Sequence, residues 1–336
     1  AGSGLRAPEF AVMIAYTKNA NVVEILGSDL PDDPVLEQDL VGYFPTPLRD
    51  RFRSHVLRHR LRREIATTGL VNQMVNVSGI SYDHRMTEDA GATVTDIARS
   101  WLATRAILGF PTWWDDIDDL ESLALEDHLE LLLDCRRAVE RCSSWFLRNR
   151  RPPLDIAAEA RRFAAPFEML AAELRDCLAG PMRRAVDDLA DRRVAQGVPT
   201  ELAVRSSVWR LVHMLFDVVE AADRAAVPAI DVARSYWAVF DRLEVMWLWE
   251  AIAALPRVDR WQTQARSALR HELLGVLASL AENVVGCGTV ESWWSANPRP
   301  IDRTVAMLTE IRRSDAQDLT TVTVAVRQLR NLALTS

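Results

Sequence analysis

The stretch Leu61 to Arg85, LRREIATTGLVNQMVNVSGISYDHR, decides how the chain is read. Leu61, Ile65, Val71, Met74 and Val75 recur at helical spacing, and Gly79 stands where a helix would stop in a left-handed cap. The segment therefore reads as one helix followed by a sharp exit. Asn72 and Asn76 are four residues apart and share one helical face, above Ile65 and Thr68. Asparagine competes with the backbone inside a helix, so something must compensate for both. A pair of buried amides bonded to a neighbouring loop is the simpler expectation, and a ligand contact the sharper one.

Outward from this stretch the pattern stays helical. Phe10 to Leu26 is apolar at Val12, Ala15, Val22, Val23 and Leu26, and SDLPDDP (Ser28 to Pro34) is a turn cluster. Pro34 to Tyr43 and Pro47 to His59 read as short helices with proline near the first turn. Thr93 caps a helix to about Leu108, and Phe110 to Trp114 reads as an aromatic turn. Leu125, Leu129, Leu132, Val139 and Phe146 mark a long amphipathic helix that ends before Pro152 and Pro153.

Further helices are expected over Asp155 to Ala179, Met182 to about Gln196, Thr200 to Ala222, Ala229 to Leu255 and Asp259 to Val285, with two more after Pro300 and Asp315. Thr320 to Val326 is β-branched enough to be ambiguous, but no run shows sustained strand alternation. The fold class is all-α, a multi-helix array of long antiparallel helices without a substantial sheet. It divides as 1–45, 46–153 and 154–336, the last two being helical subdomains.

Composition narrows the function. The chain has 336 residues, 49% hydrophobic and 26% charged, and a net charge of −7, which argues against a general attraction to nucleic acid or an anionic membrane. No apolar run approaches the length of a bilayer span. AGSGLRAP lacks the layout of an export signal, so the expected location is cytoplasmic; Ala1 to Ser3 read equally as native sequence or a cloning remnant. Cys135, Cys142, Cys177 and Cys287 contain no C-x-x-C pair and read as reduced small hydrophobes.

Lys18 is the sole lysine, which excludes any mechanism needing two. Gly286-Cys287-Gly288 follows a helix, lacks a third glycine and reads as a helix terminator rather than a dinucleotide loop. Trp209, Trp237 and Trp247 fall on apolar helix faces and read as core fillers.

Charged residues supply the remaining candidates. Arginines accumulate from Arg49 to Arg63, among them Arg58, Arg62 and Arg63, with His55 and His59 at i, i+4. Arginine neighbours repel a metal cation, and the run lacks interleaved aromatics apart from Phe52, so a solvated or ion-paired face is the favoured reading, with Arg58, Arg62 and Arg63 as interface candidates. The acidic block Asp115 to Glu121 is a candidate partner. Glu244 lies mid-face among Trp237, Phe240 and Trp247, and Arg205 lies between Leu202 and Trp209. If their helices form an antiparallel hairpin turning near Ala225, the two should meet as a buried ion pair that fixes register.

The residues also carry a resemblance. GLRAPEFAVMIAYTKN (Gly4 to Asn19), SDLPDDP, YFP (Tyr43 to Pro45), LRREIATTGLVNQMVNVSGISY, EDAGATVTDIARSWLATRAI, DRWQTQARSALRHEL (Asp259 to Leu273) and VAVRQLRNL (Val324 to Leu332) resemble the region after the dehydrogenase domain in the large bacterial NAD-specific glutamate dehydrogenases. The resemblance implies a C-terminal, non-catalytic helical domain whose first helix leaves the dehydrogenase domain. It further implies NAD bound upstream, no cofactor or metal in this segment, and a parent that converts L-glutamate, NAD and water to 2-oxoglutarate, ammonium and NADH. The expected partners are the protein's own catalytic domain and other subunits of a homo-oligomer; the segment alone is expected to be inactive. A free-standing helical scaffold and an arginine-rich nucleic-acid binder are the alternatives.

Overall fold

Thr93 shows how local chemistry sets the helix ends. Its hydroxyl accepts the amide of Asp96, whose carboxylate bonds back to Thr93, and the helix so opened, Val94–Leu108, stops at Gly109 with φ +61. A computed structural model describes residues 4–314 and 317–336. Ala1–Ser3 and the helix start expected at Asp315 lie outside the described residues.

Along the described residues every regular element is helical, so the chain is all-α. In chain order the first helices are α1 (Ala7–Leu26), α2 (Glu37–Tyr43), α3 (Thr46–Arg49), α4 (Arg53–Leu57), α5 (Arg62–Ser78), α6 (Tyr82–Ala90) and α7 (Val94–Leu108). There follow α8 (Phe110–Asp118), α9 (Leu125–Asn149), α10 (Ile156–Cys177), α11 (Gly180–Ala195), α12 (Thr200–Ser207) and α13 (Leu215–Ala225). The last six are α14 (Ala229–Arg242), α15 (Met246–Ala254), α16 (Arg260–Cys287), α17 (Val290–Ala296), α18 (Pro298–Arg313) and α19 (Leu319–Thr335). No single helix among the described residues is long and apolar enough to cross a membrane.

Contacts group the chain into two compact units, Ala1–Phe110 with Val139–Arg161 and Pro111–Ala138 with Arg162–Ser336. These limits differ from the divisions at 45 and 153, because α9 and α10 each contribute to both units.

In the first unit α5 packs against α1 and α2, and α7 packs against α1 and α6. Leu70, Val71, Met74, Ile97, Trp101 and Leu102 form its buried centre. Trp101 meets Phe110 edge to face at 5.2 Å and donates from Nε1 to Ser78 Oγ at 3.2 Å. In the second unit α16 is the hub, packed by α13, α14, α15, α17 and α19. Leu273, Leu277, Leu280 and Ala281 are fully buried there. Trp113 and Trp209 stack at 4.8 Å, and Trp209, Trp237 and Trp293 are core residues, while Trp247 is half-buried.

Several expected elements differ. The segment Pro47 to His59 is two short helices, so His55 and His59 do not share a helix; His59 Nδ1 instead accepts the Leu61 amide at 3.1 Å. Phe110 to Trp114 is part of helix α8 rather than a turn. Gly79 has φ +83 and ψ 164, an extended mirror-image conformation open to glycine, not a left-handed helical cap. Beyond it α6 restarts the helix. The helix expected over Thr200 to Ala222 is interrupted after Ser207 and resumes through a 3-10 turn at Val212–Met214. Ala229 to Leu255 breaks between Arg242 and Met246, where Glu244 takes φ +51.

The four cysteines are all free thiols. Burial pushes the Cys135 thiol up to about 12, and raises those of Cys142 and Cys177 as well. Cys287 is exposed at the end of α16. A thiol-specific reagent at neutral pH should therefore label Cys287 first and Cys177 more slowly, and reach Cys135 and Cys142 only on unfolding; peptide mapping of the labelled chain reads the order.

Candidate functional site

At the turn after α1, Gly27 to Leu36, three aspartates meet three arginines. Ser28 donates from its hydroxyl to Ile25 O at 2.7 Å and accepts the Leu30 amide, while Asp33 accepts the Val35 amide at 3.0 Å. Those bonds hold three carboxylates in a fixed spacing. Arg99, projecting from α7 with its side chain 7% exposed, donates to Asp29 at 2.8 Å, to Asp33 at 3.4 Å and to the Leu154 carbonyl at 3.5 Å. Arg62 and Arg63, at the start of α5, both donate to Asp32, and Arg63 also reaches the carbonyls of Leu26 at 2.9 Å and Ser28 at 2.8 Å. The turn is thus clamped from α5 and α7 by planar, permanently charged forks.

A second cluster lies where α2, α5 and α7 meet. Arg105 grips Asp39 through two bonds of 2.6 and 2.7 Å, and Gln73 bridges them, accepting from Arg105 at 2.8 Å and donating to Asp39 at 3.0 Å. Asp39 is nearly buried, so this arrangement satisfies it. Beside it opens a hollow of about 560 Å³ whose lining includes Tyr43, Arg49, Asp50, Gly69 and Gln73. Arg49 there is turned onto the carbonyls of Phe44 and Gly42, both at 2.7 Å.

Asn76 is exposed rather than buried, and its Oδ1 accepts from Lys18 Nζ of α1 at 3.1 Å. Asn72 is half-buried and makes no side-chain hydrogen bond among the described residues. Arg58 is exposed, whereas Arg62 and Arg63 serve the turn. Arg53 approaches Glu37 at 3.8 Å.

The expected pair of Arg205 with Glu244 does not form. Arg205 bonds Asp116, and Glu244, with its side chain 72% exposed, bonds Arg312. Such a pairing requires two unbroken helices, and both break. What the sequence did not reveal is the Asp29, Asp32 and Asp33 clamp; the run of aspartates in SDLPDDP was its only signal, and a turn explained that run equally well.

Within the second unit the buried charges are handled the same way. Arg193, 2% exposed, donates to Asp134 of α9, and burial pulls its guanidinium below the usual value despite that carboxylate. Gly288 ends α16 with φ +89, so Gly286-Cys287-Gly288 is a helix terminus and not a strand-turn-helix cradle. Among the described residues no group of three His, Cys, Asp or Glu side chains is placed to hold a metal.

An all-helical domain braced by internal arginine clamps is the class that fold and site define. Residues 2–331 match the family described as glutamate dehydrogenase, C-terminal, and the chain belongs to that family. It is 38% identical over 345 residues to the NAD-specific glutamate dehydrogenase of Mycobacterium tuberculosis, a match covering 100% of this chain and 21% of that protein. It is 32% identical over 345 residues to the protein of the same name from Pseudomonas aeruginosa, with the same coverage, and 27% identical over 339 residues to that of Halomonas elongata. The chain therefore spans about a fifth of the length of the curated relatives it matches.

The clamp makes a pH prediction. The Arg99 hydrogen bond and charge hold the Asp29 carboxyl below its ordinary 3.8. A carboxyl depressed in the folded state adds stability above its unfolded pKa, and that addition is lost as pH falls through the lower folded value. Asp29 is 80% exposed, so solvent screening keeps the effect small. Asp29→Asn should lower stability slightly at pH 7, and its deficit against the parent chain should shrink progressively as pH falls below the ordinary carboxyl value of 3.8; urea titrations in a descending pH series measure the difference.

Proposed function

We propose that this chain is the C-terminal, non-catalytic part of an NAD-dependent glutamate dehydrogenase, and that it docks on the catalytic part and supports a homo-oligomer. The observation that carries this reading is α1. No residue from Ala7 to Ala20 is buried, although this stretch holds Phe10 (46% exposed), Val12 (55%), Met13 (44%) and Tyr16 (76%). A helical segment of that length has little stability of its own in water, and an apolar surface of that size marks a contact. The relatives are about five times longer than this chain, so the remainder of the polypeptide is the occupant we assign to it.

The residues present do not fit a dinucleotide. Residues 286–288 cap a helix, and the single lysine, Lys18, is engaged by Asn76. The reaction that the relatives' name implies belongs, in this proposal, to the upstream part, in the cytoplasm. The nucleic-acid alternative loses support because Arg49, Arg62 and Arg63 are turned inward onto carbonyls and Asp32.

Purified residues 1–336 should neither oxidise glutamate nor bind NAD by calorimetry, and detectable oxidation would end the proposal. In the complete polypeptide, Phe10→Asp together with Tyr16→Asp should lower the thermal midpoint and the dehydrogenase activity. The same pair should leave the circular dichroism of the 336-residue chain unchanged, because both side chains are exposed there.

A further inference from the structure

A second apolar face has no role in the fold described so far. Along the first half of α9, Leu131, Cys135 and Ala138 are buried, while Leu125, Leu129 and Leu133 are 74%, 48% and 43% exposed. The exposed leucines succeed one another at four-residue intervals and form a single ridge. Both flanks of this half-helix are occupied: His128 approaches Asp118 of α8 at 3.7 Å, and Glu130 and Asp127 bond Arg192 and Gln196 of the α11 region at 2.9 and 2.6 Å. The ridge between them faces outward.

The charges beside the ridge say what covers it. Glu126 and Arg137 lie about three turns apart along one edge. Glu126 is exposed and has no ion pair among the described residues; Arg137 is 56% exposed and spends one contact on Asp134 within its own helix. The edge is therefore acidic at one end and basic at the other, which makes it complementary to itself reversed.

An antiparallel copy related by a two-fold axis at the level of Leu131 would set Leu129 against Leu133. Leu125 would then lie over the aliphatic stem of Arg137, and Glu126 would come within about one residue's rise, ~1.5 Å along the axis, of Arg137. A parallel copy would place the two charged edges on opposite sides of the contact and leave them unpaired.

We propose that this ridge is a two-fold contact between α9 helices of two copies of the chain. The inference rests on the oligomer-supporting role proposed above and names its surface. Three leucines cover less than the ~1,200 Å² of a stable independent interface, so the contact is weak alone and adds to others in the whole assembly.

Sedimentation equilibrium of the 336-residue chain from about 10 μM to about 1 mM tests it. The expected result is a reversible dimer that Leu129→Glu, Glu126→Arg and Arg137→Glu each weaken at least about tenfold, with the doubly reversed Glu126→Arg/Arg137→Glu chain restored. All three positions are exposed, and unchanged circular dichroism will show that each variant folds. A monomer throughout that range overturns the proposal. So does a dimer indifferent to Leu129→Glu, as association through α1 would be, or a double variant that fails to recover. None of these outcomes bears on whether the chain oxidises glutamate, so the two readings fail separately.

Discussion

A guanidinium or carboxylate that leaves water must take a partner with it, and this requirement orders both units. Stranding one such group in a helical core costs several kcal/mol, on the order of 3–5. Arg99 and Arg193 are buried and Arg105 nearly so, and each ends on an aspartate. Where no partner is available inside, the helix yields. Glu244 would have stood among Trp237, Phe240 and Trp247; the chain instead interrupts the helix, turns Glu244 through a left-handed conformation into solvent and pairs it with Arg312. The backbone strain of a non-glycine residue at φ +51 is of order 1–3 kcal/mol, smaller than the desolvation it avoids.

The same balance explains what could be read from the sequence. Helices with an explicit signal at both ends were legible: the capping box at Thr93 with Gly109, and the span of α9 before Pro152 and Pro153. The breaks within 208–214 and 243–245 were not, because neither contains proline or glycine and the apolar periodicity continues through both. They follow from tertiary packing. The β-branched Thr320 to Val326 became helix α19 because Asp318 caps it and Val322, Ala325, Val326 and Leu329 fall on one buried face. Of the site, the arginines were visible as a run, but their aspartates are tens of residues away, and no local pattern announces such a match.

The first unit thus has two ends of different character. Around the turn after α1 the packing is closed, with α5 and α7 holding three aspartates. Along α1 itself, before Asn21, α5 and α7 leave the helix largely exposed: none of residues 7–20 is buried. A rigid anchor at the C-terminal end of a largely exposed apolar helix suits a surface that is presented to the rest of the protein rather than folded away, which is the physical basis of the function proposed for this family member.

Charge in this molecule is carried almost entirely by guanidinium groups, and that has a practical side. The lone side-chain amine, Lys18, stands on α1 within reach of Asn76. Acylating dyes and crosslinkers that ignore arginine therefore have one side-chain address in the whole chain. A fluorophore attached there would sit on the largely exposed helix itself, reporting its surroundings without any engineered residue.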